Sequence, residues 1–89
     1  MFNKKHILVV DDDERLGKLL KSFLYNKGYL VDSSLNTIDA RIKLENIIYD
    51  MIILDVMLPE ENGLTFAAAL RKKKYYSNID VICNGRSRR

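Results

Sequence analysis

One stretch of the chain restricts the fold more than any other: Ile52-Ile53-Leu54-Asp55-Val56-Met57-Leu58-Pro59-Glu60-Glu61-Asn62-Gly63. Three apolar residues run into an acid, a short turn with proline and glycine follows, and a helical pattern begins behind it. An uninterrupted apolar run of this length predicts a strand buried on both faces, as in a parallel sheet. In open α/β sheets, chemistry collects outside the carboxyl ends of the strands. Asp55 stands at that end, either as a reactive group or as a cap for the turn that follows. A second run, His6-Ile7-Leu8-Val9-Val10, ends in Asp11-Asp12-Asp13. If both strands are parallel neighbours, Asp11, Asp12 and Asp55 converge at one edge of the sheet. Three crowded carboxylates repel one another. A hard divalent cation relieves the crowding, and Mg²⁺ is usually held by one or two carboxylates with waters and phosphate oxygens.

The rest of the chain alternates between the two periods. Asp13 can cap a first helix in which Leu16, Leu19, Leu20, Phe23 and Leu24 form an apolar stripe assigned to the core. Gly28 ends that helix, and Leu30 to Ser34 is an edge strand. Asn36 or Thr37 opens a second helix whose buried side is Ala40, Leu44, Ile47 and Ile48. Met51 to Leu54 is the central strand. Leu64, Phe66, Ala67 and Leu70 mark a third helix running to about Lys74, residues 75–78 are a loop, and Ile79 to Cys83 is a fourth strand. The order β-α-β-α-β-α-β predicts a parallel sheet with helices on both faces and right-handed crossovers. The two acid-tipped strands must be neighbours for their acids to meet, which favours the strand order 2-1-3-4. His6, at the opposite end of the first strand from the acids, is read as structural or exposed.

Ile7-Leu8-Val9-Val10-Asp11-Asp12-Asp13, together with Ile53-Leu54-Asp55-Val56-Met57-Leu58-Pro59 and Gly63, resembles the receiver domain of bacterial response regulators. The resemblance runs from Lys5 to about Val81 and is strongest to receivers that precede winged-helix DNA-binding domains. It implies a flavodoxin-like fold, Asp55 as phosphoacceptor, and a sensor histidine kinase as phosphoryl source. It also implies Mg²⁺ held by Asp11, Asp12, Asp55 and the backbone carbonyl of Met57. Such a protein assists its own modification and is not a turnover enzyme.

Three departures from the family pattern are visible. Asn62 replaces the usual aspartate before the glycine, a mild change because both share turn chemistry. The Thr or Ser that such receivers carry at the end of the fourth strand falls on Asn84 or Gly85, and neither has a hydroxyl. The lysine at the end of a fifth strand has no counterpart. The expectation is therefore a truncated receiver over 1–83, its sheet incomplete with the fifth strand and last helices missing, and an unstructured basic tail over 84–89. An exposed sheet edge invites self-association, and phosphorylation at Asp55 is expected to be slow and without conformational output. The rival reading is a degenerate remnant that only binds protein or has no function.

Composition narrows the classes. The 89 residues allow one domain. No apolar run is long enough to span a bilayer and no signal-peptide core opens the chain, so a cytoplasmic protein without membrane contact is expected. The single Cys83 cannot form an internal disulfide. Residues 1–70 hold 8 Lys and Arg against 11 acids, a net −3, whereas residues 71–89 hold 7 against 1, a net +6. Nucleic acid is nonetheless not the expected partner. Arg71 to Lys74 fall at a helix C-terminus, where cations complement the dipole, and Arg86, Arg88 and Arg89 carry no binding motif.

Overall fold

The computed structural model describes residues 4–58, 61–76 and 78–84. Four parallel strands, β1 (His6–Val10), β2 (Leu30–Ser34), β3 (Met51–Asp55) and β4 (Asp80–Asn84), form one sheet in the order β2-β1-β3-β4. Helices α1 (Glu14–Asn26), α2 (Thr37–Asn46) and α3 (Gly63–Arg71) connect them. Order and alternation follow the sequence reading, and the fold is the flavodoxin-like one.

Side chains alternate across each strand, and the two faces have separate cores. Leu8, Val10, Ile52 and Leu54 face α2 and α3, where they meet Ala40, Leu44, Phe66 and Leu70. Ile7 and Val9 point the other way, against Val31 and against Leu20 and Leu24 of α1. The helix ends carry the expected chemistry. Asp13 caps α1 by accepting from the Leu16 N–H, and Asn36 caps α2 by accepting from the Asp39 N–H. Gly28, just past α1, has φ of 100°, the left-handed conformation that a side chain would strain.

Several expectations need correction. Leu19 and Phe23 are exposed (67% and 58%), so the α1 stripe is only partly core. Helix α1 rests on the sheet through Leu20 and Leu24, and Leu19 and Phe23 lie outside that contact. Ile48 is 89% exposed. The helical phase ends before it, because Ile47 is already extended at φ −134° and ψ 139°. Helix α3 stops at Arg71, and residues to Lys74 are not a continuation: a 3₁₀ turn spans Lys74–Tyr76. The tighter turn brings Tyr76 into the α2–α3 core, within the segment read as loop. The last strand runs one residue later than expected, since Asp55 pairs in register with Asn84. Asn84 therefore belongs to β4, not to the tail; residues 85–89 lie outside the described residues.

His6 does serve the fold. Its Nε2 lies 3.0 Å from Asp32 Oδ2, and the Tyr49 hydroxyl donates to the same oxygen at 2.6 Å. The His6 and Tyr49 rings are 4.6 Å apart. Burial first, and then the Asp32 carboxylate, push the Tyr49 phenol well above its ordinary value. No helix among the described residues is long and apolar enough to cross a membrane.

Candidate functional site

Adjacency of β1 and β3 assembles the site. Val10 pairs with Leu54, so the residues that follow, Asp11 and Asp55, leave neighbouring strands side by side. Carboxylate oxygens of Asp11, Asp12 and Asp55 all lie within 4.8 Å of one another. Asp11 and Asp55 are buried, at 4% and 1% exposure, whereas Asp12 is open to solvent. Burying carboxylates is costly without partners, and backbone donors offset part of that. The Asp13 N–H donates to Asp11 Oδ1 at 2.9 Å, and the Met57 N–H donates to Asp55 Oδ1 at 3.1 Å. The three consecutive aspartates thus divide their work. Asp11 and Asp12 join the cluster, and Asp13 caps α1.

An all-oxygen donor set of this size suits a hard cation such as Mg²⁺ and not a soft transition metal. The donor chemistry and the spacing of Asp11, Asp12 and Asp55 therefore fit the cation that the sequence suggested. Met57, proposed to contribute its carbonyl, follows Asp55 by two residues and is tied to it through its N–H.

The turn after β3 is built on close backbone approach. The Gly63 N–H donates to the Val56 carbonyl at 2.8 Å. A Cβ at Gly63 would lie 2.4 Å from the Asp55 carbonyl oxygen and 2.8 Å from Val56 Cα. Only glycine lets α3 start so near the strand end that bears Asp55. Asn62 Oδ1 accepts from the Leu64 N–H at 2.7 Å and caps α3. The Asn62 departure from the family pattern thus keeps the capping role.

Sequence reasoning missed one feature near the site. Arg41 of α2 holds Glu61 through two hydrogen bonds, Nη1 to Oε1 at 2.7 Å and Nη2 to Oε2 at 3.2 Å. The Arg41 bond holds the Glu61 carboxyl below its ordinary value of 4.5; burial opposes this, and the Thr37 hydroxyl adds to it. The same bond raises the Arg41 guanidinium further above its ordinary value. No local signal could have paired two opposite charges 20 positions apart.

Comparison with known proteins now adds to this geometry. A family model described as "Response regulator receiver domain" matches residues 7–87. Over 83 residues the chain is 39% identical to the protein PetR of Rhodobacter capsulatus and 38% identical to the transcriptional regulatory protein ResD of Bacillus subtilis. Each alignment covers 93% of this chain and 35% of the relative, so the chain spans about a third of these relatives' length. Among solved structures, the response regulator TrrA of Thermotoga maritima, determined in complex with Mg²⁺-BeF, aligns with a TM-score of 0.76 and 30% identity, covering 91% of this chain and 87% of that one.

Proposed function

The chain belongs to the response regulator receiver family, and from that membership we propose that it accepts a phosphoryl group on Asp55 from the phosphohistidine of a sensor kinase in the cytoplasm. The supporting observation is the burial of Asp55 at the end of β3 with oxygens of Asp11 and Asp12 within 4.8 Å. In the transfer, the bond from imidazole nitrogen to phosphorus breaks and a bond from a carboxylate oxygen to phosphorus forms, giving an acyl phosphate. Asp11, Asp12, Asp55 and the Met57 carbonyl would hold Mg²⁺. When bound, the ion neutralises charge on the transferring group and aligns it. The Met57 N–H donates to Asp55 Oδ1 at 3.1 Å and helps orient the carboxylate. The protein assists its own modification and is consumed once per event, so it is not a turnover enzyme.

Titration with Mg²⁺, followed by amide shifts at Asp12 and Met57, tests the metal assignment. Weak saturable binding is expected, and Asp12→Asn should weaken it by at least about tenfold, since even outer partners of metal ligands matter at that level. An Asp12→Asn protein that titrates like the wild type contradicts the assignment.

We further propose that copies of this chain associate along β4. Among the described residues β4 pairs only with β3, and Ile82 on the α1 side of the sheet is 49% exposed. Unpaired edges beside apolar surface recruit other strands. Sedimentation should show a concentration-dependent rise in mass that Ile82→Lys suppresses; a monomer at every concentration contradicts it.

A further inference from the structure

We propose that Arg41 and Glu61 form a clamp that positions the start of α3 and, through the Gly63 to Val56 hydrogen bond, the Met57 backbone; this rests on the reading of Asp55 as phosphoacceptor. Neither residue belongs to the acidic cluster, so both are positioning residues.

The geometry is that of a fork gripping a carboxylate, the strong and directional form of ion pair. Arg41 is held in turn. Its guanidinium carbon lies 4.7 Å from the centroid of the Phe66 ring, which is wholly buried in the α2–α3 core. A cation over an aromatic face at this distance is attracted to it. One side chain of α2 therefore touches both the loop, through Glu61, and α3, through Phe66. Helix α2 is itself anchored by Ala40 and Leu44 in the core.

The loop has two further fixed points. Gly63 closes it by donating to the Val56 carbonyl, and the Met57 N–H binds Asp55 Oδ1. Glu61 stands two residues before Gly63, and Arg41 fixes it against α2. The pair is partly exposed, at 43% for Arg41 and 22% for Glu61, and exposed pairs add little to global stability. Its effect should therefore be read in the local order of the loop and not in the melting temperature.

The experiment is a double-mutant cycle on the full chain. Glu61→Gln keeps the shape of the side chain, and Arg41→Met keeps an apolar stem over Phe66. In metal-free protein, amide exchange at Met57 and Gly63 should quicken about fivefold in each single variant, the upper range for a pair of this exposure. The double variant should be no faster than either single. Mg²⁺ affinity and the rate of Asp55 phosphorylation should fall by a similar factor. Unchanged exchange at Met57 and Gly63 would overturn the proposal. So would effects that simply add in the double variant, or faster exchange spread evenly over the chain. If the wild type takes up neither Mg²⁺ nor phosphoryl, the reading of Asp55 fails, and metal-free exchange still decides the clamp.

Discussion

Gly63→Ala is expected to lower the melting temperature by about 10 °C and to abolish Mg²⁺ binding in the same step. The added methyl would meet the Asp55 carbonyl oxygen at 2.4 Å, Val56 Cα at 2.8 Å and the Asp55 carbonyl carbon at 3.0 Å. All three are backbone atoms, so no side chain can swing aside. Either the end of β3 or the start of α3 must move. Overpacking of this kind costs roughly 1–3 kcal/mol, and in a domain of this size about 1 kcal/mol shifts the melting temperature by roughly 4–8 °C. The movement also pulls on the Gly63 to Val56 hydrogen bond, and through it on the backbone that carries Met57 and Asp55. Calorimetry and the Mg²⁺ titration read the two effects. A Gly63→Ala protein that melts and binds like the wild type would show that the close approach is not needed.

Asp55→Asn should eliminate covalent phosphorylation while leaving the fold intact. The amide has nearly the shape of the carboxylate, and its oxygen can still accept from the Met57 N–H. It lacks the charged oxygen that attacks phosphorus. Asp55→Asn also removes one of three carboxylates held within 4.8 Å of one another. Relief of that repulsion should leave metal-free Asp55→Asn melting no lower than the wild type at neutral pH. Loss of labelling together with a collapsed melt would instead make Asp55 a structural residue.

The legible parts of this chain are those where a short run of sequence carries its own physics. Apolar runs that end in acids at Val10 and Leu54 gave both the buried strands and the convergence of their acids, because parallel neighbours leave the sheet on the same edge. Caps at Asp13 and Asn36 and the turn at Gly28 were readable for the same local reason. Periodicity could not say how wide a stripe the sheet would cover, so Leu19 and Phe23 were assigned to a core they do not enter. Nor could it say that the chain straightens at Ile47 or that Tyr76 turns inward. Those outcomes depend on where the neighbouring element lies. In the site, Asp11, Asp12 and Asp55 were visible as strand ends, but their support was not. Gly63 was read as a turn residue, whereas its place is a contact with the Asp55 backbone. The Arg41–Glu61 pair joins an exposed helix face to a loop and leaves no trace in the local pattern.

The central claim is that Asp55 is the phosphoacceptor. Intact-mass measurement after incubation with a small-molecule phosphodonor and Mg²⁺, followed by mapping of the modified peptide, tests it most directly. The prediction is the added mass of one phosphoryl group, located on Asp55, dependent on Mg²⁺ and absent in Asp55→Asn. It should form slowly and bring little change at the end of β4, where neither Asn84 nor Gly85 offers the hydroxyl that receivers resembling this one carry. Labelling that persists in Asp55→Asn, or that maps to another residue, would contradict the account.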